Sequence, residues 1–218
     1  MALHHADLTP GREVLEDTPV VHIVDDDEGV RNSLAYLLQS VGIVALTYPD
    51  APSFLGEFDE EEPAVVILEL RMRGLSGLLL QEQLLERDYP APVLFCSGHG
   101  NVPSAVRAMR AGAVGFFEKP YEPQTMVETV QAQLSAARDA FAARSARREL
   151  SARLHGLTPR ERDVLRLVMD GLSSQQIATR LSASVKTVDV HRTRIRAKTS
   201  AESLGRLVRD LYLHRLTV

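Results

Sequence analysis

Five short apolar runs in the first 120 residues, each followed by a stretch of helical periodicity, limit the possible folds more than any other feature of the chain. The runs are VVHIV (20–24), IVALTY (43–48), AVVIL (64–68), PVLFCSG (92–98) and VGFFEKP (114–120). Between the first two lies GVRNSLAYLLQSVG, with apolar residues at 30, 34, 37, 38 and 41, a helical spacing. Strands that alternate with helices in this way are joined by crossovers into a parallel sheet. The predicted fold of this part is an α/β doubly wound five-stranded parallel sheet.

The remainder is helical and differs in charge. Up to residue 150 there are 12 basic against 23 acidic residues, net −11; from 151 onward there are 13 against 6, net +7. An acidic body and a basic tail imply two domains, the second with a polyanion as partner. In LTPRE, Thr158 caps a helix, Pro159 takes its first position and Glu161 completes a capping box. The amphipathic ERDVLRLVMDG follows, then a short helix at about 174–181, the polar break SAS, and a basic helix over 184–198. Helix, tight turn and basic helix make a helix-turn-helix, with the second helix in the major groove of double-stranded DNA.

Along that second helix, Lys186, Asp189, Val190 and Thr193 share a face suited to base edges. Arg192, Arg194, Arg196 and Lys198 supply charge over a wider arc, suited to phosphates. Thr187 and His191 complete the expected DNA-binding set, His191 at the inward boundary with Val185, Val188 and Ile195. Asp189 cannot meet a phosphate favourably; it either accepts from a cytosine amino group or orients a neighbouring arginine. The last helix has an apolar face, Leu204, Leu207, Leu211 and Tyr212, that offers a homodimer surface.

Within the sheet, chemistry is expected at the carboxyl ends of the strands. The first strand ends in Asp25, Asp26 and Asp27, and the third in Glu69, so carboxylates converge on one crevice. Clustered carboxylates repel unless a cation is present, which calls for a divalent ion such as Mg²⁺ or a fixed cation. Lys119, after the fifth strand, supplies the fixed cation, and Ser97 adds a hydroxyl at the same rim.

These segments together, VHIVDDDEGVRNSL, ILELRMRGLSG, LFCSGHGNVPSAVRAMRAGAVGFFEKP and LTPRERDVLRLVMDGLSSQQIATRLSASVKTVDVHR, resemble a NarL/FixJ-type two-component response regulator. The likeness runs from about residue 19 to 216 and implies a flavodoxin-like receiver followed by a LuxR-type DNA-binding domain. It implies that Asp25 and Asp26 are the metal-binding acids, with Mg²⁺ held by Asp26, residue 69 and the backbone carbonyl of Arg71. It further implies that Ser97 and Lys119 grip a phosphoryl group, that Phe116 is the switch aromatic, and that Lys119–Pro120 is cis. In such proteins the carboxylate at position 69 takes phosphate from a sensor histidine kinase.

There the pattern breaks. The family writes D-x-R-M-P-G, whereas this chain reads Glu69-Leu70-Arg71-Met72-Arg73-Gly74. A glutamate carries its carboxylate about 1.5 Å further from the backbone, and phosphoryl transfer depends on positioning. The receiver is therefore expected to be atypical and not phosphorylated in the usual way. A regulator with ordinary phosphorylation control, an interaction module without DNA binding, and a metal-dependent phosphotransfer enzyme are the alternatives.

The expected organisation is a mobile leader over 1–17, a receiver over 18–138, a helical linker over 139–155 and a DNA-binding domain over 156–218. Val127, Val130, Leu134, Ala137 and Phe141 repeat at spacings of 3 and 4, either as a coiled-coil seam or as the core face of the fifth helix. One cysteine, no apolar run near 20 residues and no secretory pattern suggest a cytoplasmic protein without a membrane span.

Overall fold

A computed structural model of the chain describes residues 19–98 and 100–218; the leader expected over 1–17 lies outside them. The chain divides into two units, the first ending at Phe141 and the second beginning at Ala142.

The first unit alternates β1 (Val20–Val24), α1 (Glu28–Ser40), β2 (Ala45–Tyr48), α2 (Ala51–Glu57), β3 (Ala64–Leu68), α3 (Gly77–Glu86), β4 (Val93–Ser97), α4 (Val102–Arg110) and β5 (Gly115–Glu118). α5 (Pro123–His155) follows. All five strands are parallel, in the order β2-β1-β3-β4-β5. The order reverses beside β1, so the carboxyl ends of β1 and β3 flank the crevice where such sheets place their sites.

Both sheet faces are buried, which is why the strands are uniformly apolar rather than alternating. Val20, Val24, Val66, Leu68 and Phe95 point to one side, against Phe54 of α2 and Leu80 and Leu84 of α3. Val21, Ile23, Val65, Ile67 and Leu94 point to the other, against Leu34 and Leu38 of α1 and Met126 of α5. Side chains of Asp27, Asp50, Ser76 and Asn101 cap α1 to α4 by accepting backbone N–H groups.

The α5 stripe is core, not a coiled-coil seam. Val127, Val130 and Ala137 are buried on the Met126 side of the sheet, and Leu134 packs at its margin. Phe141 belongs to the other core, edge-to-face with Tyr89 at 5.3 Å. The segment read as a linker, 139–155, is helical, but Leu150 and Leu154 are core residues of the second unit. An apolar residue every third or fourth position is the same signal in either setting, so the boundary could not be placed from spacing.

His22 sits inside β1, 1% exposed, with Nδ1 3.2 Å from the Tyr48 hydroxyl and Nε2 buried without a hydrogen-bond partner among the described residues. Burial lowers its pKa to about 4 from an ordinary 6.5. The imidazole is therefore neutral when folded, and the unfolded chain binds the extra proton. Stability is expected to fall as pH drops from about 6.5 to about 4, by an amount on the order of 3 kcal/mol, and then to level off for this group. Urea unfolding at pH 7 and pH 4.5 checks this; His22→Leu should lose less stability between them than the parent, and an equal loss would assign the effect elsewhere.

The second unit contains α6 (Pro159–Met169), α7 (Ser174–Arg180), α8 (Val185–Lys198) and α9 (Leu204–Leu213). The Thr158–Glu161 capping box forms as expected, and Ser173 and Gln176 make a second one on α7. Val164, Leu165, Ile177, Val188, Ile195, Leu207 and Leu211 form the core with Leu150 and Leu154. The apolar face of α9, expected to be a dimer surface, is thus largely used within the unit. Leu207 and Leu211 are buried and Leu204 packs against them, whereas Tyr212 is 61% exposed, its hydroxyl donating to the Met169 carbonyl at 3.1 Å. A four-helix domain of this size needs that face for its own core.

Candidate functional site

Asp25 follows β1, Glu69 follows β3, Ser97 ends β4 and Lys119 follows β5, so four strand ends deliver one side chain each to the crevice. The Lys119 ammonium bridges two carboxylates, Asp25 Oδ2 at 2.5 Å and Glu69 Oε2 at 2.8 Å. Glu69 Oε1 accepts from the Ser97 hydroxyl and from the Arg71 backbone N–H at 3.1 Å. Asp25 Oδ1 accepts from the Asp27 N–H at 2.9 Å. Asp25, Glu69 and Ser97 are all buried.

A buried carboxylate without compensation would take up a proton. At Glu69 burial does raise the pKa, but hydrogen bonds from Lys119, Ser97 and the Arg71 N–H outweigh it and leave the carboxyl below its ordinary value. Burial lowers Lys119, yet its bonds to Asp25 and Glu69 hold the ammonium above the usual lysine value. At Asp25 burial prevails over the Lys119 bond and raises the carboxyl. The longer glutamate arm therefore reaches the two groups expected to grip a phosphoryl group.

Two further acids follow Asp25 along the chain. Asp27 caps α1 by accepting from the Val30 N–H at 3.1 Å, and Asp26 is exposed. This arrangement does not fit a divalent ion held by Asp26, Glu69 and the Arg71 carbonyl. Both Glu69 oxygens are already engaged, and a fixed ammonium already bridges the buried carboxylates.

Phe116 is half-buried, its ring 6.0 Å from Phe95 and nearly parallel to it. Gly100 lies against that ring: a Cβ there would fall 2.6 Å from Phe116 Cζ, so a side chain at this position would have to displace the ring. Gly77 has a like role below the acid, where a Cβ would lie 2.3 Å from the Glu69 carbonyl oxygen. Lys119–Pro120 is cis. Sequence reasoning missed Arg31, whose guanidinium donates to the Asp25 carbonyl at 2.7 Å, one α1 turn past the cap.

In the second unit, Lys186, Asp189, Val190, Thr193 and Arg194 line one surface concavity along α8. Thr187 is exposed, its hydroxyl 2.8 Å from that of the Ser184 cap, and Arg192 is half-buried. His191 is half-buried, and its Nδ1 has no partner among the described residues. Lys198, expected to serve phosphates, pairs with Glu161 Oε2 at 2.7 Å while its side chain stays 38% exposed. Glu161 is 2% exposed, and its Oε2 also accepts from the Thr158 N–H. A buried carboxylate needs a cation, and Lys198 is the one that reaches it. The capping box gave the backbone half of that role; nothing in the spacing pointed to Lys198, 37 residues away.

The family model for the response regulator receiver domain matches residues 21–131, and that for bacterial regulatory proteins of the luxR family matches 155–210. The transcriptional regulatory protein FixJ of Azorhizobium caulinodans is 39% identical over 87% of this chain and 90% of its own length. The chain belongs to the FixJ-type response regulators. FixJ of Rhizobium meliloti is 40% identical over 87% of this chain and 93% of its own, and the regulatory protein DctR of Rhodobacter capsulatus is 38% identical over 87% and 97%. A solved structure of the response regulator StyR matches with a TM-score of 0.73 at 38% identity, covering 90% of this chain and 99% of that one. As in other response regulators, the sheet unit is the receiver and the helical unit the luxR-type domain.

Proposed function

We propose that this response regulator is a cytoplasmic, DNA-binding transcription regulator whose receiver is held by an internal ion pair instead of an acyl phosphate. The single observation that carries the second half is the complete engagement of Glu69, with Ser97 and Lys119 already bound to its carboxylate. In-line transfer to that carboxylate would require both partners to leave it, and the longer side chain places its oxygens where incoming phosphoryl oxygens would lie. Lys119, the group that would pair with a transferred phosphoryl group, bridges Glu69 and Asp25 instead. Nothing in this arrangement turns over a substrate, and the protein acts as a regulator, not an enzyme. A sensor histidine kinase is a partner of the receiver by docking, without productive transfer to residue 69. The luxR-type unit engages double-stranded DNA through α8, with Lys186, Thr187, Val190, Arg192, Thr193 and Arg194 on or beside the exposed face. No described helix is long and apolar enough to cross a membrane.

Gel retardation against a promoter library tests both halves. The full chain is expected to retard DNA without any phosphodonor, and a small acyl-phosphate donor with Mg²⁺ should leave the affinity unchanged. Affinity should fall steeply with salt, with a logarithmic slope near −0.9 per neutralised phosphate. A complex that forms only after addition of the donor would overturn the internal ion-pair reading; no complex at all would overturn the DNA reading.

A further inference from the structure

Asp189 is an anomaly on the helix that faces DNA. It is exposed on α8, in the same concavity as Lys186, Val190, Thr193 and Arg194. A carboxylate there repels phosphates, so it lowers affinity for duplex DNA of any sequence. It is also held in place. The Ser174 hydroxyl, in the first turn of α7, donates to Asp189 Oδ1 at 2.8 Å. Among the described residues no arginine or lysine pairs with Asp189, so the carboxylate is not serving to orient a neighbouring cation. Oδ2 has no protein donor there either.

We infer that Asp189 is a base-selecting residue, fixed by Ser174 so that its carboxylate accepts a hydrogen bond from the exocyclic amino group of a cytosine in the major groove. This rests on the DNA-binding reading above. The chemistry selects the base. In the major groove guanine shows two acceptors, and thymine an acceptor and a methyl group; both repel a carboxylate or leave it unpaired. Adenine offers an amino group beside the N7 acceptor, a pattern that an amide matches better than an acid. Cytosine offers the amino donor alone. Lys186 and Arg194 flank the acid and supply the positive charge that keeps it tolerable near the backbone. Discrimination comes from the repulsive side as much as the attractive one, because a wrong base leaves a desolvated charge unpaired.

Sites selected by the full chain from a randomised duplex library should carry a C·G pair at a fixed position, preferred about tenfold or more over other pairs. Asp189→Asn should bind arbitrary DNA more tightly and lose most of the cytosine preference. Ser174→Ala leaves the charge intact and should weaken the preference without that general gain. If both variants keep the parent's preference at every position and merely change affinity by one common factor, Asp189 is only a charge and the inference fails. If the parent retards no DNA at any salt concentration, the DNA-binding reading fails and takes this inference with it.

Discussion

Mixed with a small acyl-phosphate donor and Mg²⁺, the wild-type protein is expected to keep its unmodified mass, while Glu69→Asp gains one phosphoryl group. The argument is geometric. Glu69 reaches Ser97 and Lys119 through its extra methylene, and those contacts hold both of its oxygens. Removing the methylene draws the carboxylate back by about 1.5 Å and opens the space beside the hydroxyl and the ammonium. A misplacement of about 1 Å costs about 100-fold in a reaction governed by alignment, so the rate difference between the two proteins should reach at least that size. Arg73 stands exposed in the same loop and does not contact the Glu69 carboxylate, so the substitution at 69 is expected to suffice. Intact-mass measurement over a time course reads the outcome. A stoichiometric adduct on the wild-type protein, localised to Glu69, would remove the basis for control without phosphate.

Replacing Lys119 by methionine is expected to destabilise the receiver by about 3–5 kcal/mol, the usual consequence of leaving buried charge uncompensated. Two carboxylates depend on this one ammonium, and all three side chains are largely buried, at 16%, 5% and 6% exposure for Lys119, Asp25 and Glu69. The sign of the pH dependence follows. Lys119 holds the Glu69 carboxyl below its ordinary value, so its stabilising effect is present above that ordinary value and disappears as pH falls through the lowered one. The gap between wild type and Lys119→Met should therefore be widest near neutrality and narrow in acid. Chemical denaturation of the two proteins at several pH values measures it. A gap that stays constant with pH would mean that the lysine acts through packing alone.

Much of the receiver could be read from residue order. Five apolar runs gave five parallel strands, and the placement of Asp25, Glu69, Ser97 and Lys119 at strand ends followed from the topology. What could not be read was which acid would be buried beside the lysine. Asp25, Asp26 and Asp27 are consecutive, yet one is buried beside Lys119, one is exposed and one caps α1. Backbone direction at the end of β1 decides that, and composition carries no trace of it. The same limit governed Lys198, whose pairing with the buried Glu161 no spacing announced, and Leu207 and Leu211, whose apolar face was needed for a small core. Apolar periodicity states that a face will be covered; it does not say by what.

The wiring of the sheet also bears on the order in which the molecule matures. No two neighbouring strands are joined by a hairpin, and the crevice unites groups far apart along the chain: Ser97 and Glu69 by 28 residues, Lys119 and Glu69 by 50, Lys119 and Asp25 by 94. Such contacts require long loops to close before any of them forms, which slows folding relative to helical domains built on local contacts. The luxR-type unit is of the fast kind. Because the chain grows at only about 5–20 residues per second and its leading domains fold first, the receiver has time to close its charge cluster before the luxR-type unit is complete, and Lys119, the last of the four groups to be made, sets the earliest moment at which it can close.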